Sequence, residues 1–167
     1  MKNKCIIIVF MLAFFINAVA QHKVVKRTAT QNKRAYAVKS DNNPDPLNDF
    51  YLIKNVPPME TGQHLWVLTG MILSKECTIL HKWCNPNVPN TCVYSNENEF
   101  IEDAQSKQRY YIKKSDIGIG FDNHRVVKDT KHFMFAEWYP PLPSSVKVIN
   151  IHSGSRYIVK QLRIIRK

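Results

Sequence analysis

From residue 50 onwards, short apolar runs alternate with clusters of turn-forming residues. The runs are rich in Val, Ile, Tyr, Phe and Trp, which favour strands, and the clusters hold Pro, Gly, Asn, Asp and Ser. This pattern predicts nine strands, at residues 50–55, 64–73, 76–83, 92–94, 99–103, 108–114, 132–139, 146–152 and 157–166. Residues 104–107 are a short polar connection and predict a hairpin turn.

The runs also show the two-residue period of strands in places, and they lack a helical period. In residues 108–114, Tyr110 and Ile112 point opposite to Arg109, Tyr111 and Lys113. No segment has the periodicity of an amphipathic helix of three turns. We therefore expect an all-β fold, an antiparallel β-sandwich of about seven to nine strands that occupies residues 50–167.

The first 20 residues have the pattern of a signal peptide. Lys2 and Lys4 precede an apolar run of 12 residues, and Ala18-Val19-Ala20 then offers small residues for cleavage. A run of 12 is short for a bilayer, which needs about 20 apolar residues. We expect export to the periplasm, the cell surface or the medium, with a retained N-terminal anchor as the alternative. The mature chain would begin at Gln21 and carry a formal charge of +9, because two of the lysines leave with the signal.

Residues 21–49 separate the signal from the strand-rich region. Residues 21–40 hold six Lys or Arg and no acid, and residues 41–49 are polar with two prolines and three acids. Neither part shows helical or alternating periodicity, which predicts a flexible leader. Its basic part is either a solvated tail or an attachment to an anionic surface.

The chain is strongly basic, with 24 Lys and Arg against 13 Asp and Glu and a formal charge of +11. Such a charge favours an anionic partner. The candidate binding residues lie near the C-terminus and after the predicted hairpin, at Arg156, Lys160, Arg163, Arg166, Lys113 and Lys114. Because we expect export, we do not expect nucleic acid to be the native partner.

Three groups of segments suggest a family. They are Thr78-Ile79-Leu80-His81, Glu99-Phe100-Ile101-Glu102-Asp103 with the following Arg109-Tyr110-Tyr111-Ile112, and Phe133-Met134-Phe135 with the corner Tyr139-Pro140-Pro141-Leu142-Pro143 and the strand after it. Together they resemble small secreted β-sandwich domains common in Bacteroidetes, and the resemblance covers roughly residues 64–165. The resemblance implies an immunoglobulin-like fold behind a signal peptide, and it implies no catalytic residues.

Export changes the expectation for the cysteines. After cleavage three remain, Cys77, Cys84 and Cys92, and an oxidising compartment favours a disulfide. Cys84 and Cys92 flank a turn-rich loop and are the preferred pair, with Cys77–Cys84 or no bond as the alternatives. Cys77 lies in an apolar run and is expected to be a small buried side chain.

Candidate catalytic and metal-binding groups are present but do not form a recognised set. Cys77 and His81 are four residues apart on one strand, about 13 Å, which is too far for a nucleophile and its base. The Cys and His spacings match no zinc motif, and Ile117-Gly118-Ile119-Gly120 lacks the context of a phosphate loop, so it predicts a bend or a bulge. The acids that could pair are expected to be solvated on exposed strands, and they are Glu97, Glu99, Glu102, Asp103 and Glu137.

These observations favour a secreted, non-catalytic binding or structural module of the cell envelope. It would need no cofactor or metal and would engage an anionic envelope polymer or a protein partner through surface charge. The alternatives are a small exported hydrolase of polysaccharide, peptide or nucleic acid, and a carrier that holds a small ligand inside the sandwich.

Overall fold

The computed structural model describes residues 34–41, 49–61 and 64–166. These residues form thirteen strands and one short 3₁₀ turn at Phe121–Asn123, and no α-helix occurs among them. The strands are β1 (Tyr36–Lys39), β2 (Asp49–Lys54), β3 (Met59–Thr61), β4 (His64–Leu73), β5 (Thr78–Pro86), β6 (Thr91–Val93), β7 (Glu99–Asp103), β8 (Arg109–Tyr111), β9 (Lys114–Ser115), β10 (Arg125–Val127), β11 (Phe133–Tyr139), β12 (Val148–Ser153) and β13 (Arg156–Ile165).

The all-β prediction is confirmed. All nine predicted strands are present, and two of them, residues 64–73 and 99–103, have the predicted bounds. The predicted strand at 108–114 is divided into β8 and β9, with Ile112 and Lys113 between them. The predicted hairpin turn joins β7 to β8, and Lys107 completes it with φ 64°. The strands that the pattern missed are two to four residues long, too short to display a period.

Eleven strands belong to one mostly antiparallel sheet. Its order is β8-β7-β12-β13-β1-β2-β4-β5-β11-β9, and β3 pairs with β4 beside this path. Only β1 and β13 run parallel. The two end strands, β8 and β9, are separated by just two residues, so their ends lie within about 11 Å of each other. The sheet must therefore curl until its two ends meet at one segment of chain.

The eleven strands of this curled sheet exceed the predicted seven to nine, and its topology alone does not define a sandwich of two facing sheets. Register shifts interrupt β4 against β5 and β12 against β13. Such irregularities bend a strand and add to the twist that strands already have, so one long sheet can wrap around a single interior. Strand patterns in sequence do not reveal where these bends occur.

The interior of the curled sheet is the main hydrophobic core. It is built from alternate residues of the strands that surround it, and it includes Ala37, Tyr51, Leu68, Met71, Leu80, Ile101, Tyr139, Ile149, Ile151, Val159 and Leu162. A smaller core lies beneath the separate two-stranded sheet of β6 and β10 and consists of Cys84, Val93, Ile117, Val127 and Phe135.

The flexible-leader prediction is wrong for residues 36–39 and for Asp49, the first residue of β2. Tyr36–Lys39 form β1, which lies between β13 and β2 in the main sheet. Ala37 is fully buried in the main core. Four residues in a basic context show no period, and one of the two strands that order them, β13, lies at the far end of the chain. Residues 21–33 and 42–48 of the predicted leader, and the whole predicted signal peptide 1–20, lie outside the described residues.

The glycine pair predicted as a bend forms a tight loop. Gly118 and Gly120 have φ values of 83° and 73°, and the 3₁₀ turn follows directly. The Gly118 N–H and C=O bond to Ser115 and Ser95, which attaches this loop to the neighbouring chain. Residues with side chains rarely adopt these backbone conformations, so the turn itself explains why glycine is present at both positions, and no phosphate ligand needs to be assumed.

Candidate functional site

Polar side chains from three strands meet inside the curled sheet. Lys82 comes from β5, Glu99 from β7, and Glu137 and Tyr139 from β11, and Ser95 completes the group. We call these five residues the interior polar cluster. Lys82 points inwards because β5 alternates between buried and half-buried residues, and Lys82 has a buried position.

The hydrogen bonds of the interior polar cluster connect all its members. The Lys82 ammonium contacts Glu99 and lies 2.6 Å from Glu137 Oε2. The Tyr139 hydroxyl is 2.8 Å from Glu99 Oε1 and 2.8 Å from Glu137 Oε2. Ser95 donates to Glu137 Oε1 at 2.6 Å. Each buried charge therefore has partners, as burial in an apolar interior requires.

The geometry demands a proton on one carboxyl group. A tyrosine hydroxyl carries a single proton, so Tyr139 donates to only one of its two carboxyl neighbours. The other carboxyl must hold a proton of its own if both contacts are hydrogen bonds. Burial and the charge of Glu137 raise the pKa of Glu99 to about 8, although Lys82 opposes them. Glu99 is therefore the protonated carboxyl at neutral pH.

Glu137 has the opposite shift. Burial alone would raise its pKa, but the Lys82 ammonium and hydrogen bonds from its neighbours hold that pKa below the ordinary value. Burial lowers the pKa of Lys82, and the two carboxyl groups outweigh this effect and raise it. At neutral pH the cluster thus contains Lys82 charged, Glu137 ionised and Glu99 neutral, with no net charge.

Two carboxyl groups with opposite pKa shifts are a common feature of acid–base enzymes. Here the two carboxyl groups have little contact with solvent, and their polar atoms are already bonded to neighbouring side chains. The side chains of Lys82, Glu99 and Glu137 are each at most 4% exposed. The Lys82 ammonium and the Tyr139 hydroxyl both bridge the two carboxyl groups, whereas a glycosidase needs a sugar there. The interior polar cluster joins three strands through its hydrogen bonds and ion pairs, and its polar atoms have little contact with solvent.

A second polar group lies on the outer face of β7, β8 and β12. Glu102 is buried there and accepts a hydrogen bond from Asn150 at 2.9 Å. Basic atoms of Lys107 and Arg109 lie 3.8 and 3.9 Å from its carboxylate. His152 Nε2 is 4.0 Å away, and burial lowers the pKa of this histidine.

Aromatic stacking orders the same outer face. The Arg109 guanidinium lies 4.7 Å from the centre of the Phe100 ring, and His152 stacks on that ring at 4.4 Å. Tyr111 packs beside Phe100 with ring centres 5.3 Å apart and is 45% exposed. The Arg109 side chain is 54% exposed, so an ordered arginine and an exposed tyrosine are adjacent at the surface.

The predicted binding residues are spread along the sheet. Arg156 pairs with Ser153 and Arg163 with Val148, at opposite ends of β12, which places them about 17 Å apart. Arg166 donates to the carbonyls of Pro143 and Ser144. The remaining predicted residues are Lys160, exposed on β13, and Lys113 and Lys114 at the junction of β8 and β9. Lys114 lies over the Trp138 ring at 4.7 Å. They therefore do not form one compact cluster.

The prediction of solvated acids is wrong for three of the five residues. Glu99, Glu102 and Glu137 are buried, whereas Glu97 is exposed and Asp103 half-buried. The prediction failed because cations from other strands, Lys82 inside and Lys107 and Arg109 outside, make this burial tolerable. Pairings between distant residues are not visible in a local sequence pattern.

The predicted Cys84–Cys92 disulfide is absent, and Cys77, Cys84 and Cys92 are all free thiols. Thr91 and Val93 are buried on the inner face of β6, and Val93 packs in the same small core as Cys84. Cys92 lies between them and therefore points to the opposite face, away from Cys84. Cys77 is half-buried, with its sulfur 3.6 Å from the Ser74 hydroxyl.

Three of the histidines considered as ligands or bases occupy different surroundings. His81 lies beside Phe50, His124 against Phe121 and His132 beside Trp83. In the described part of the chain, no group of three or more His, Cys, Asp or Glu is placed to hold a metal ion. Over the same residues, no helix has the length and apolar character needed to cross a membrane.

Comparisons with protein-family models, with curated proteins and with solved structures found no match for this chain.

Sequence reasoning missed Lys82, the centre of the interior polar cluster. A signal for it was present, because Lys82 shares the inward face of β5 with Thr78, Leu80 and Cys84. A lysine among the inward-facing residues of a strand predicts either that the strand is interrupted there or that the lysine has a buried acidic partner. Its partners are 17 and 55 residues further along the chain, so the sequence alone does not identify them.

Proposed function

We propose that this protein is a secreted, non-catalytic binding module that engages an anionic partner at the cell envelope. Export rests on the signal-like residues 1–20, and the immunoglobulin-like classification rests on the resemblance described above together with antiparallel strands around one core. The observation that carries the binding role is the distribution of charge between the interior and the surface.

Folding makes the surface more basic than the composition indicates. Among the described side chains, one of 17 Lys and Arg is buried, whereas three of 11 Asp and Glu are buried. This leaves 16 basic and eight acidic side chains with some exposure to solvent. A surface with this excess attracts anionic polymers and acidic proteins and accelerates their association.

The enclosed interior polar cluster supports a non-catalytic role. Its two carboxyl groups with opposite pKa shifts are the specific observation that favours the hydrolase alternative. Their burial and their shared bonds to Lys82 and Tyr139 favour a structural role for the same residues. A buried pair of this kind fixes the relative positions of β5, β7 and β11.

The test is binding of the mature chain to immobilised polygalacturonate, with dextran as the uncharged control. We expect the chain to bind polygalacturonate and not dextran. We also expect this binding to weaken steeply as the salt concentration is raised, because salt screens exposed charges. Equal binding to dextran, or binding that is insensitive to salt, would contradict the proposal. Hydrolysis of either polymer that is lost in Glu99→Gln, a variant that we expect to stay folded, would instead support the hydrolase.

A further inference from the structure

The strand β8 is the end strand of the curled sheet. In the described part of the chain it pairs with β7 and with no other strand. The opposite end of the sheet does not cover it: the end strand β9 continues the same chain segment, and its neighbour β11 stops at Tyr139 and is followed by Pro140 and Pro141. Prolines have no N–H and cannot continue a ladder. The sheet therefore stays open along β8.

Two residues of β8 direct their backbone groups away from β7. Asp103 donates to the carbonyl of Gln108, and Ile112 donates to the carbonyl of Glu99. In an antiparallel ladder the hydrogen-bonded pairs alternate with non-bonded ones. Arg109 and Tyr111, opposite Glu102 and Phe100, are in the non-bonded pairs. Their N–H and C=O groups thus lie on the open side of the strand.

One of these outward groups, the Arg109 carbonyl, already accepts a weak hydrogen bond from a side chain. The exposed Gln108 amide donates to the Arg109 carbonyl at 3.4 Å, near the upper limit for such a bond. Because this hydrogen bond is long, we expect a backbone N–H from another strand to displace the Gln108 amide. The open edge therefore has an acceptor that a strand from another chain can use.

The exposed charges within residues 107–114 are of one sign, and the acid that lies beside them, Glu102, is buried. Residues 107–114 contain Lys107, Arg109, Lys113 and Lys114, all exposed, and no acid. Tyr111 adds a half-exposed ring beside them. Sheet edges with unpaired backbone groups bind extended segments by adding a strand, and side chains then select among them.

We infer that the edge of β8 is a docking site for an extended, acidic peptide segment of a partner protein, which adds as a strand beside Arg109–Tyr111. The backbone groups of Arg109 and Tyr111 supply the pairing, and the four basic side chains select acidic residues. This inference rests on the proposed binding function and narrows its anionic partner to a protein. The short edge offers only two residues for pairing, so charge must contribute a large part of the affinity.

The test uses a synthetic peptide of alternating Glu and Val, and the same peptide with every backbone nitrogen methylated. Methylation keeps the charge and removes the donors. We expect the unmethylated peptide to bind at least about tenfold more tightly, since two or so backbone hydrogen bonds are lost. Equal affinity for the two peptides would overturn the inference, because binding would then need charge alone.

Two protein variants test the edge from the other side. Tyr111→Pro removes the outward N–H and keeps the N–H groups of Tyr110 and Ile112, which face β7. Tyr111→Ala removes the ring and keeps that N–H, so it is the matched control. We expect Tyr111→Pro to bind the unmethylated peptide more weakly than Tyr111→Ala does and to retain the same far-UV circular dichroism. Equal peptide affinities in two folded variants would contradict the inference.

The remaining outcomes separate this inference from the proposed function. If polygalacturonate binds in a salt-dependent way and neither peptide binds, the peptide inference fails and the binding function stands. If neither the polymer nor the peptides bind, both fail. If sedimentation shows that the chain pairs with a second copy of itself and Tyr111→Pro abolishes that pairing, the edge belongs to a homodimer and the inference is wrong.

Discussion

The interior polar cluster predicts unequal effects for two similar substitutions. Glu137→Gln removes the ionised partner of Lys82 and also removes one cause of the raised pKa of Glu99, so Glu99 takes over part of the lost negative charge. A buried lysine without its anion typically costs about 3–5 kcal/mol of stability, and with this compensation we expect the lower end, about 3 kcal/mol. Glu99→Gln replaces one neutral group by another of the same shape, and we expect it to cost about 1 kcal/mol or less.

The same assignment predicts a pH dependence. The native state holds a proton on Glu99 up to about pH 8, whereas the unfolded chain loses it near the ordinary value of 4.5. Raising the pH between these values therefore favours the unfolded state by up to a factor of about ten per pH unit. Desolvation lowers the pKa values of His81 and His152, and these two groups act in the opposite direction below 6.5. The window from about pH 6.5 to 8 thus reports on Glu99.

The assay is urea unfolding followed by the fluorescence of Trp66, Trp83 and Trp138, at several pH values in this window. We expect the wild-type free energy of unfolding to fall with pH and that of Glu99→Gln to stay nearly level. Comparison at constant m-value isolates stability from changes in the unfolded state. Equal costs for the two substitutions at pH 7, or equal pH slopes for wild type and Glu99→Gln, would refute the assignment of the proton.

Three further predictions follow from packing and geometry. Gly118→Ala should lower the free energy of unfolding by about 3 kcal/mol, because Gly118 has φ +83° and an added methyl would lie 1.6 Å from the Asn123 carbonyl oxygen. Gly154→Ala is the control: the nearest atom to its added methyl is 3.7 Å away, and we expect a cost of about 1 kcal/mol. Tyr139→Phe should cost about 1–3 kcal/mol in the same urea assay, since its hydroxyl serves both carboxyl groups, and an unchanged midpoint would contradict this. Burial raises the pKa of Cys84 to about 12, which leaves little reactive thiolate. A thiol reagent should therefore modify Cys77 and Cys92 in the native protein and Cys84 only after unfolding, as read by mass spectrometry. A Cys84–Cys92 disulfide in a non-reducing peptide map would contradict this prediction.

Local pattern was sufficient to predict the strands and their class. The period of two and the turn clusters identified nine of the thirteen described strands, because each signal depends on neighbours within a few residues. β1 could not be identified in this way, since its four residues are held between β2, the next strand, and β13, which lies at the far end of the chain. The curl of the sheet likewise depends on register shifts that no local signal marks.

The candidate site was less accessible to sequence reasoning than the fold. Glu99 and Glu137 were recognised as a possible carboxylate pair, but their burial depends on Lys82, which had not been considered. The disulfide prediction used the length of the loop alone. It could not include the alternation on β6 that turns Cys92 away from Cys84.

The central claim is that partners bind to the exposed basic surface at β8, while the interior polar cluster serves the fold. The most direct test is binding of the Glu-Val peptide to a variant with Lys107, Arg109, Lys113 and Lys114 all replaced by Gln. The control replaces four other exposed cations, Lys54, Lys75, Lys128 and Lys131, and has the same net charge. We predict that the first variant loses peptide binding, while the control and Glu99→Gln largely retain it. Equal losses in the first variant and the control would show that only net charge matters, and loss of binding in a folded Glu99→Gln would show that the interior takes part; either result contradicts the account.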